Sequence, residues 1–198
     1  MKALILAAGV SRRLYPKTYN TPKCLLEVGG KPIINYQLEA LSELGIKDIT
    51  MIVGYHREML IENVEKNFPT INFNFIINHH YFETNTAYSV YLGKEALSKE
   101  HLLMNADVVY PKELLSKIYY SSFENVLAVD VKSCGREEVK VIDGGQNKIT
   151  AIGKDLIEDK CLGEFIGVAK FSSEFMNDFV KALGSLIEAG GKNDYFEA

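Results

Sequence analysis

Short apolar runs alternate with amphipathic stretches along the chain up to about position 120. The apolar runs predict strands at 2–6, 49–53, 73–77 and 102–105, and the stretches between them predict helices at 32–44, 58–68, 86–97 and 111–120. Proline opens the first and last of these helices and Gly45 follows the first, as is typical of helix starts and stops. Strands that alternate with helices predict an α/β fold with a largely parallel sheet.

The pattern changes beyond position 120. Strands are predicted at 126–131, 139–142, 149–152 and 165–171, and a closing helix at 175–189. The turn residues Asp143-Gly144-Gly145 predict that the second and third of these strands form a hairpin. Because the chain contains no repeat, low-complexity tract or linker, we predict a single domain over 1–198, built from two halves that meet near position 120.

Composition narrows the classes of function. The 198 residues are 47% hydrophobic and 24% charged, which is ordinary for a globular protein. The net charge of −4 disfavours nucleic acid and anionic membranes as partners, so any anion site must be local. No apolar run is long enough to span a bilayer, and the first residues lack a signal-peptide pattern. Cys24, Cys134 and Cys161 lack metal-ligand spacing and predict reduced thiols in a cytoplasmic protein.

The clearest chemical motif follows the first predicted strand. It reads Leu6-Ala7-Ala8-Gly9-Val10-Ser11-Arg12-Arg13-Leu14, and Pro22-Lys23 comes shortly after it. Small residues let the backbone approach a ligand closely, and loop N–H groups can bind anionic oxygens. Arg13 and Lys23 can neutralise phosphate charge at the same place. An ordinary turn between a strand and a helix, with exposed basic residues, is the alternative interpretation.

This motif resembles the signature of the sugar-phosphate nucleotidyltransferase superfamily, L-A-A-G-x-G-x-R-L followed by P-K. Ser11 stands where the family usually has glycine. The resemblance covers most of the chain and implies a Rossmann-like, three-layer α/β fold with a mixed, mostly parallel central sheet. It also implies an enzyme that joins a nucleotide to a phosphorylated small molecule and releases pyrophosphate. Residues 1–120 would then be the nucleotide-binding half, and residues 121–198 the acceptor-binding half.

Nucleotidyl transfer depends on cations more than on a general base, because the attacking phosphate is already ionised. The resemblance assigns Arg13 to the triphosphate, and Lys23 to the α-phosphate and the incoming phosphate. Asp107 follows a predicted strand, at the edge where ligands bind in open α/β sheets. A lone carboxylate there suits Mg²⁺, and the resemblance favours this role over a cap of the helix near Pro111. The predicted catalytic residues are Arg13, Lys23 and Asp107, with Asp107 as the metal ligand.

The segment after the third predicted strand resembles the base-recognition loop of the family. Asn78, Thr84 and Asn85 offer hydrogen-bonding groups near a helix start, where helix capping is an alternative and compatible role. His79 and His80 are adjacent and point opposite ways in an extended segment, which disfavours a shared metal ion. The predicted nucleotide-binding residues are Leu6, Ala7, Ala8, Gly9, Ser11, Lys23, Asn78, Thr84 and Asn85.

Residues of the second half resemble the acceptor side of the family. Lys154 matches a lysine that contacts the substrate phosphate. Gly163-Glu164-Phe165-Ile166-Gly167 looks like the CTP-using, choline-phosphate cytidylyltransferase-like branch, which handles phosphocholine and related amino-alcohol phosphates or phosphonates. A carboxylate among aromatic rings would suit a cationic ammonium group. The predicted acceptor-binding residues are Lys154, Glu164, Gly167, Tyr195 and Glu197.

Three functions stay open on this reasoning. The favoured one is transfer of CMP from CTP to a small phosphorylated acceptor such as phosphocholine, with Mg²⁺ as cofactor. The alternatives are a sugar-1-phosphate nucleotidyltransferase that uses UTP, dTTP or GTP, and a catalytically silent nucleotide-binding regulatory protein. Family members usually continue into a segment with a second acidic metal ligand, so we expect either such a segment or closure of the metal site by Asp194 or Glu197. The oligomeric state, a homo-oligomer included, is left open.

Overall fold

The computed structural model of the chain describes residues 1–97, 99–146 and 148–197. Its strands are β1 (Lys2–Ala7), β2 (Glu27–Val28), β3 (Lys31–Pro32), β4 (Asp48–Val53), β5 (Asn72–Ile77), β6 (His101–Asn105), β7 (Val126–Asp130), β8 (Lys140–Asp143), β9 (Ile149–Gly153) and β10 (Gly163–Phe171). Its α-helices are α1 (Ile33–Glu43), α2 (Arg57–Asn67), α3 (Thr86–Leu92), α4 (Lys112–Tyr119) and α5 (Ser173–Glu188). Most bounds lie within one or two residues of those that the periodicity predicts.

One eight-stranded sheet joins both halves of the chain. Its order is β5-β4-β1-β6-β10-β8-β9, and β7 also pairs with β10. The first four strands are paired in parallel. β10 then runs antiparallel to β6, and both β7 and β8 run antiparallel to β10, so they point the same way as the first four. The predicted mixed, mostly parallel sheet is confirmed, and β8 and β9 form the predicted hairpin.

Two apolar cores form because alternate residues of each strand face opposite sides of the sheet. On β1, Ala3 and Ile5 pack into a core with α1, α2 and α4, whereas Leu4 and Leu6 pack into a second core with α3 and α5. The sheet therefore lies between two helical layers, which confirms the predicted three-layer α/β fold.

The helix predicted over 86–97 is wrong in its second half. It ends at Leu92, and a separate 3-10 helix covers Lys94–Leu97. Gly93 marks the break and lies against the central strand: a Cβ atom there would come within 2.9 Å of Leu4 Cδ1. Periodicity missed the break because the apolar positions keep a helical spacing on both sides of it.

The segment between β1 and α1 contains small elements that periodicity is too coarse to detect. Two 3-10 helices, Arg12–Leu14 and Lys23–Leu25, carry the basic residues of the signature motif. The two-residue strands β2 and β3 then form a separate hairpin before α1 begins. This segment covers the carboxyl end of β1 and so prepares one wall of the site described below.

The carboxyl ends of β1, β5 and β6 open at the same edge of the sheet, since these strands run in parallel. The loops that leave them carry the signature motif, the Asn78–Asn85 segment and Asp107. No helix among the described residues is long and apolar enough to cross a bilayer.

Candidate active site

A cleft of about 450 Å³ lies at this edge of the sheet. The structure brings into it every residue that the sequence predicts for the site, except Gly167. Lining residues from that set are Leu6, Ala7, Ala8, Gly9, Ser11, Arg13, Lys23, Asn78, Thr84, Asn85, Asp107, Lys154, Glu164, Tyr195 and Glu197. Residues that lie far apart in the chain thus converge on one concave surface, as is typical of ligand sites in open α/β sheets.

The signature loop has a left-handed backbone at Ser11. Its φ and ψ are 53° and 46°, a conformation that glycine adopts freely and that costs other residues about 1–2 kcal/mol. The fully buried Thr18 stabilises this conformation, because its hydroxyl donates a hydrogen bond to the Ser11 carbonyl over 3.0 Å. The departure of this chain from the family's glycine therefore falls at a position where the backbone geometry favours glycine.

Lys23 and Asp107 form an ion pair across the cleft. Lys23 Nζ lies 2.7 Å from Asp107 Oδ2, and both side chains are about one third exposed. Lys23 begins the 3-10 helix that follows Pro22, whose extended backbone turns the chain into the cleft. Asp107 does not cap α4, since Pro111 occupies that position without a side-chain hydrogen bond. The capping alternative is therefore excluded for this aspartate.

The neighbouring Cys24 shows how close the Asp107 carboxylate lies to the 3-10 helix. Burial and, to a smaller extent, the negative charge of Asp107 together raise the pKa of the Cys24 thiol to about 12. The three cysteines are free in the structure.

Arg13 has a partner that sequence reasoning missed. Its Nη1 lies 3.0 Å from Glu137 Oε2, and the two side chains are 81% and 77% exposed. Glu137 comes from the loop before β8, so this ion pair joins the first half of the chain to the second, and both of its residues line the cleft. An exposed pair of this kind contributes about 0–1 kcal/mol and can be exchanged for a ligand easily.

The loop after β5 is shaped by the buried Asn78. Its amide donates to the hydroxyl oxygens of Thr84 and Ser89 over 3.0 and 3.3 Å, and its Oδ1 accepts from the backbone N–H of His80 over 2.9 Å. Asn85 caps α3, where its Oδ1 accepts from the Thr86 N–H over 2.9 Å. The capping role is therefore present, and Asn78 acts within the loop.

Lys154 lies on the opposite side of the cleft, directly after β9. Its Nζ is 4.0 Å from the centre of the Tyr195 ring, a cation–π contact that holds the ammonium group near the cleft floor. Its backbone carbonyl accepts a 2.5 Å hydrogen bond from Nζ of the buried Lys140. A side-chain hydrogen bond with Asn85 lowers the pKa of the Tyr195 hydroxyl, and contact with Lys154 lowers it as well.

The two acceptor-side carboxylates differ in their surroundings. Glu164 Oε2 lies 2.6 Å from Lys132 Nζ, a partner that the sequence pattern does not indicate. Glu197 is half-buried, and its Oε2 atom is shielded from solvent without a hydrogen bond from any described residue. Burial of the carboxyl group raises the pKa of Glu197 to about 7, although Lys154 acts in the opposite direction. The protonation of this carboxyl group therefore changes near neutral pH.

Gly167 does not line the cleft, contrary to its predicted place among the acceptor-binding residues. It lies in β10 with φ at +78°, where the pairing of β10 with β7 is irregular. A Cβ atom at this position would overlap the side chain of Asn105, which itself lines the cleft. Its glycine is explained by this close approach, and its effect on the cleft is exerted through Asn105.

The described residues of the cleft fit Mg²⁺ held by a protein carboxylate together with phosphate oxygens and water. Among the described residues, no group of three or more His, Cys, Asp and Glu side chains could hold a metal ion. Mg²⁺ commonly uses one or two carboxylates and takes its other ligands from phosphate oxygens and water. Asp107 is partly exposed to the cleft and meets this requirement.

Comparison with known proteins identifies the family of the chain. Residues 2–128 match the nucleotidyl transferase family. The chain belongs to this family. It is thus a nucleotidyltransferase enzyme, as the signature motif predicted.

Individual relatives indicate which branch of the family this nucleotidyltransferase resembles. It is 34% identical to a choline-phosphate cytidylyltransferase of Streptococcus pneumoniae, over 86% of this chain and 69% of the relative. It is 30% identical to a CTP:phosphoglutamine cytidylyltransferase of Campylobacter jejuni, over 91% of this chain and 76% of the relative. A mannose-1-phosphate guanyltransferase of Schizosaccharomyces pombe is 38% identical over 56% of this chain and 32% of the relative.

A solved structure of the CTP:phosphocholine cytidylyltransferase of Streptococcus pneumoniae shares the fold. The TM-score is 0.79 and the identity 29%, over 98% of this chain and 81% of that chain. The resemblance to the CTP-using branch, stated above from the motif, is therefore supported by both sequence and fold.

Replacing Ser11 by glycine should stabilise the nucleotidyltransferase by up to about 1 kcal/mol, because it removes the cost of a left-handed backbone at a residue with a Cβ atom. Urea unfolding of Ser11→Gly and the parent chain measures the difference. Ser11→Ala is the control: it keeps the Cβ atom and should give no gain. A loss of stability in the glycine variant would contradict the prediction.

The half-buried Glu197 should make the stability of the fold decrease as the pH rises from about 4.5 to about 7. In that interval the Glu197 carboxyl group stays protonated in the folded protein, where its pKa is raised to about 7. In the unfolded chain the same group has already lost its proton. Glu197→Gln should therefore stabilise the protein more at pH 8 than at pH 4.5, by on the order of 2 kcal/mol. Urea unfolding at the two pH values checks this. Glu188→Gln, on the exposed end of α5, should show no such difference.

Proposed function

We propose that this nucleotidyltransferase transfers CMP from CTP to a small phosphorylated acceptor such as phosphocholine. The observation that carries the proposal is the single cleft in which the signature loop and the Lys23–Asp107 pair face Lys154 and Tyr195. Two relatives matched over 86% and 91% of the chain are both named cytidylyltransferases, which supports CTP as the donor. Their named acceptors differ, so phosphocholine rests on the carboxylate and aromatic residues of the acceptor side.

The reaction is an in-line displacement at the α-phosphorus of CTP. An oxygen of the acceptor phosphate forms a bond to that phosphorus, and the bond between the α-phosphorus and the bridging oxygen to the β-phosphate breaks. Pyrophosphate carries away the electron pair of the broken bond. Because the nucleophile is already anionic, the protein's task is to hold mutually repelling anions together and in line.

Three cations of the cleft suit this task. The small residues of the signature loop let the backbone approach the triphosphate, and Arg13 at the end of this loop neutralises its charge. Lys23, between the two sides, contacts the α-phosphate and the attacking oxygen. Lys154 holds the acceptor phosphate, and its contact with Tyr195 keeps the ammonium group facing inward.

Asp107 would hold Mg²⁺ in this proposal, together with phosphate oxygens of the donor. The bound ion supplies positive charge that offsets the negative charge on the triphosphate. Lys23 is released from its ion pair with Asp107 when phosphate arrives, so that its ammonium group becomes available to the reacting oxygens.

The residues on the acceptor side of the cleft favour a cationic acceptor over a sugar. Glu164, Tyr195 and Glu197 place carboxylates and an aromatic ring together, which suits an ammonium group, whereas a sugar would need several hydroxyl partners. The similarity to a mannose-1-phosphate guanyltransferase supports the second candidate, a sugar-1-phosphate nucleotidyltransferase that uses UTP, dTTP or GTP.

The test is pyrophosphate release with Mg²⁺ for CTP, UTP, dTTP, ATP and GTP, each paired with phosphocholine, aminoethylphosphonate, glucose-1-phosphate and mannose-1-phosphate. We expect CTP with phosphocholine to give the largest kcat/KM. Higher turnover of a sugar-1-phosphate with UTP, dTTP or GTP would replace this proposal by the second candidate.

Removing either member of the central pair should lower kcat by about 100-fold or more, because each acts on charge that develops in the transition state. Lys23→Met and Asp107→Asn preserve size while removing the charge, and steady-state kinetics with CTP measure the loss. Lys31→Met is the matched control, since Lys31 is similarly exposed and forms an ion pair with Glu39 outside the cleft. If Lys31→Met were as inactive as Lys23→Met, the loss could not be assigned to the cleft.

A further inference from the structure

The side chain of Gln37 joins α1 to the turn that carries Asp107. Gln37 is 1% exposed, and its Nε2 donates to two backbone carbonyls, those of Asn105 over 2.9 Å and Val108 over 2.8 Å. These two carbonyls flank Asp107 in the chain. A single amide group therefore spans the turn, and Gln37 itself is not among the residues that line the cleft.

Gln37 is the unusual residue of an otherwise apolar helix face. Ile33 and Leu41, one turn before and one turn after it, are buried in the apolar interior together with Leu38. Its Oε1 is buried as well, and no described residue offers it a hydrogen bond. Burying an amide with one unsatisfied oxygen costs free energy that an apolar side chain would avoid. The two hydrogen bonds to the turn offset this cost, and an apolar side chain could not form them.

Two other contacts hold the same turn from different sides. The backbone N–H of Ala106 donates to the Leu6 carbonyl over 3.0 Å, which ties the turn to the end of β1. The side chain of Asn105 lies against Gly167 of β10. Gln37 adds a third contact to this turn, from helix α1. Since α1 also packs against the 3-10 helix that carries Lys23, the same helix supports both members of the ion pair.

We propose that Gln37 is a positioning residue for Asp107: it holds the turn of residues 105–108 so that the Asp107 carboxylate faces the phosphates of the donor. This inference rests on the role of Asp107 under the proposed function. Gln37 touches neither substrate nor metal, and it acts through the two carbonyls that it binds.

The variant that tests this is Gln37→Met, which keeps the length of the side chain on an apolar helix face but removes both donors. Residues that orient a metal ligand typically affect metal affinity or activity by about 10- to 100-fold. We expect kcat to fall and the Mg²⁺ concentration for half-maximal rate to rise by about that factor, while KM for the acceptor changes less than twofold. Gln37→Glu, which turns acceptor oxygens toward the same carbonyls, should lose more activity than Gln37→Met.

A readout independent of activity is amide hydrogen exchange in the ligand-free protein. Exchange of residues 105–108 should become at least several-fold faster in Gln37→Met, while peptides from β4 and β5 stay unchanged. Leu41→Ala is the matched control, because it removes buried apolar volume from the same helix and leaves both hydrogen bonds from Gln37 to the turn in place. It should lower stability yet keep kcat and Mg²⁺ dependence within twofold of the parent chain.

The outcomes separate this inference from the function on which it rests. If Asp107→Asn is inactive but Gln37→Met shows the parent's Mg²⁺ dependence and the parent's exchange at residues 105–108, the positioning role is overturned and the proposed function stands. If Asp107→Asn keeps full activity, the catalytic role of Asp107 is overturned, and with it the effect of Gln37 on turnover. If Leu41→Ala shifts the Mg²⁺ dependence as much as Gln37→Met, the effect is one of general stability and the inference is overturned.

Discussion

The parallel pairing of β1 with β6 is the contact on which the cleft depends. Their register places Leu6 opposite Asn105, so the signature loop and the Asp107 turn leave the sheet side by side. The hydrogen bond from Ala106 to the Leu6 carbonyl extends this pairing beyond the last strand residue. Without this register, the signature loop and the Asp107 carboxylate would leave the sheet at different places. The helices that cover the two faces keep this pair of strands buried, as is usual for parallel strands.

Charge in the ligand-free cleft is compensated within the protein. Two of its three cations are paired with carboxylates, Arg13 with Glu137 and Lys23 with Asp107, and Glu164 of the cleft is paired with Lys132. Lys154, the third cation, lies against the Tyr195 ring. Partly exposed pairs are weak, so a triphosphate that brings several negative charges at once can replace the carboxylates on the first two. A folded cleft that concentrates basic residues is thereby kept from self-repulsion before its substrates arrive. The same pairs explain how a chain of net charge −4 can present a site for anions.

Much of the fold follows from local patterns, whereas the contacts of the site do not. Each long strand and helix has a periodicity that predicts it, and Ser11 stood out as the one departure from the signature. Glu137 could not be predicted as the partner of Arg13, because the two lie far apart in sequence and both are exposed. Gln37 could have been noticed, since it is a polar residue on an apolar helix stripe. Its partners are backbone carbonyls, however, and no side-chain pattern reports those.

Gly167 illustrates the opposite error. Gly167, three residues after Glu164 in a family-like string, was predicted to bind the acceptor, while its conformation and its contact with Asn105 come from strand geometry. Sequence reasoning locates motifs well, but it cannot distinguish a glycine that makes room for a ligand from one that makes room for a neighbouring strand.

The position of β10 has a mechanical consequence. This strand is hydrogen-bonded to β6 of the nucleotide half and to β7 and β8 of the acceptor half, so the two halves share one continuous backbone ladder. A hinge that swung one half over the other would have to break that ladder. Opening and closing around substrates must therefore come from the loops and side chains at the rim, such as the Arg13–Glu137 pair, rather than from a movement of lobes.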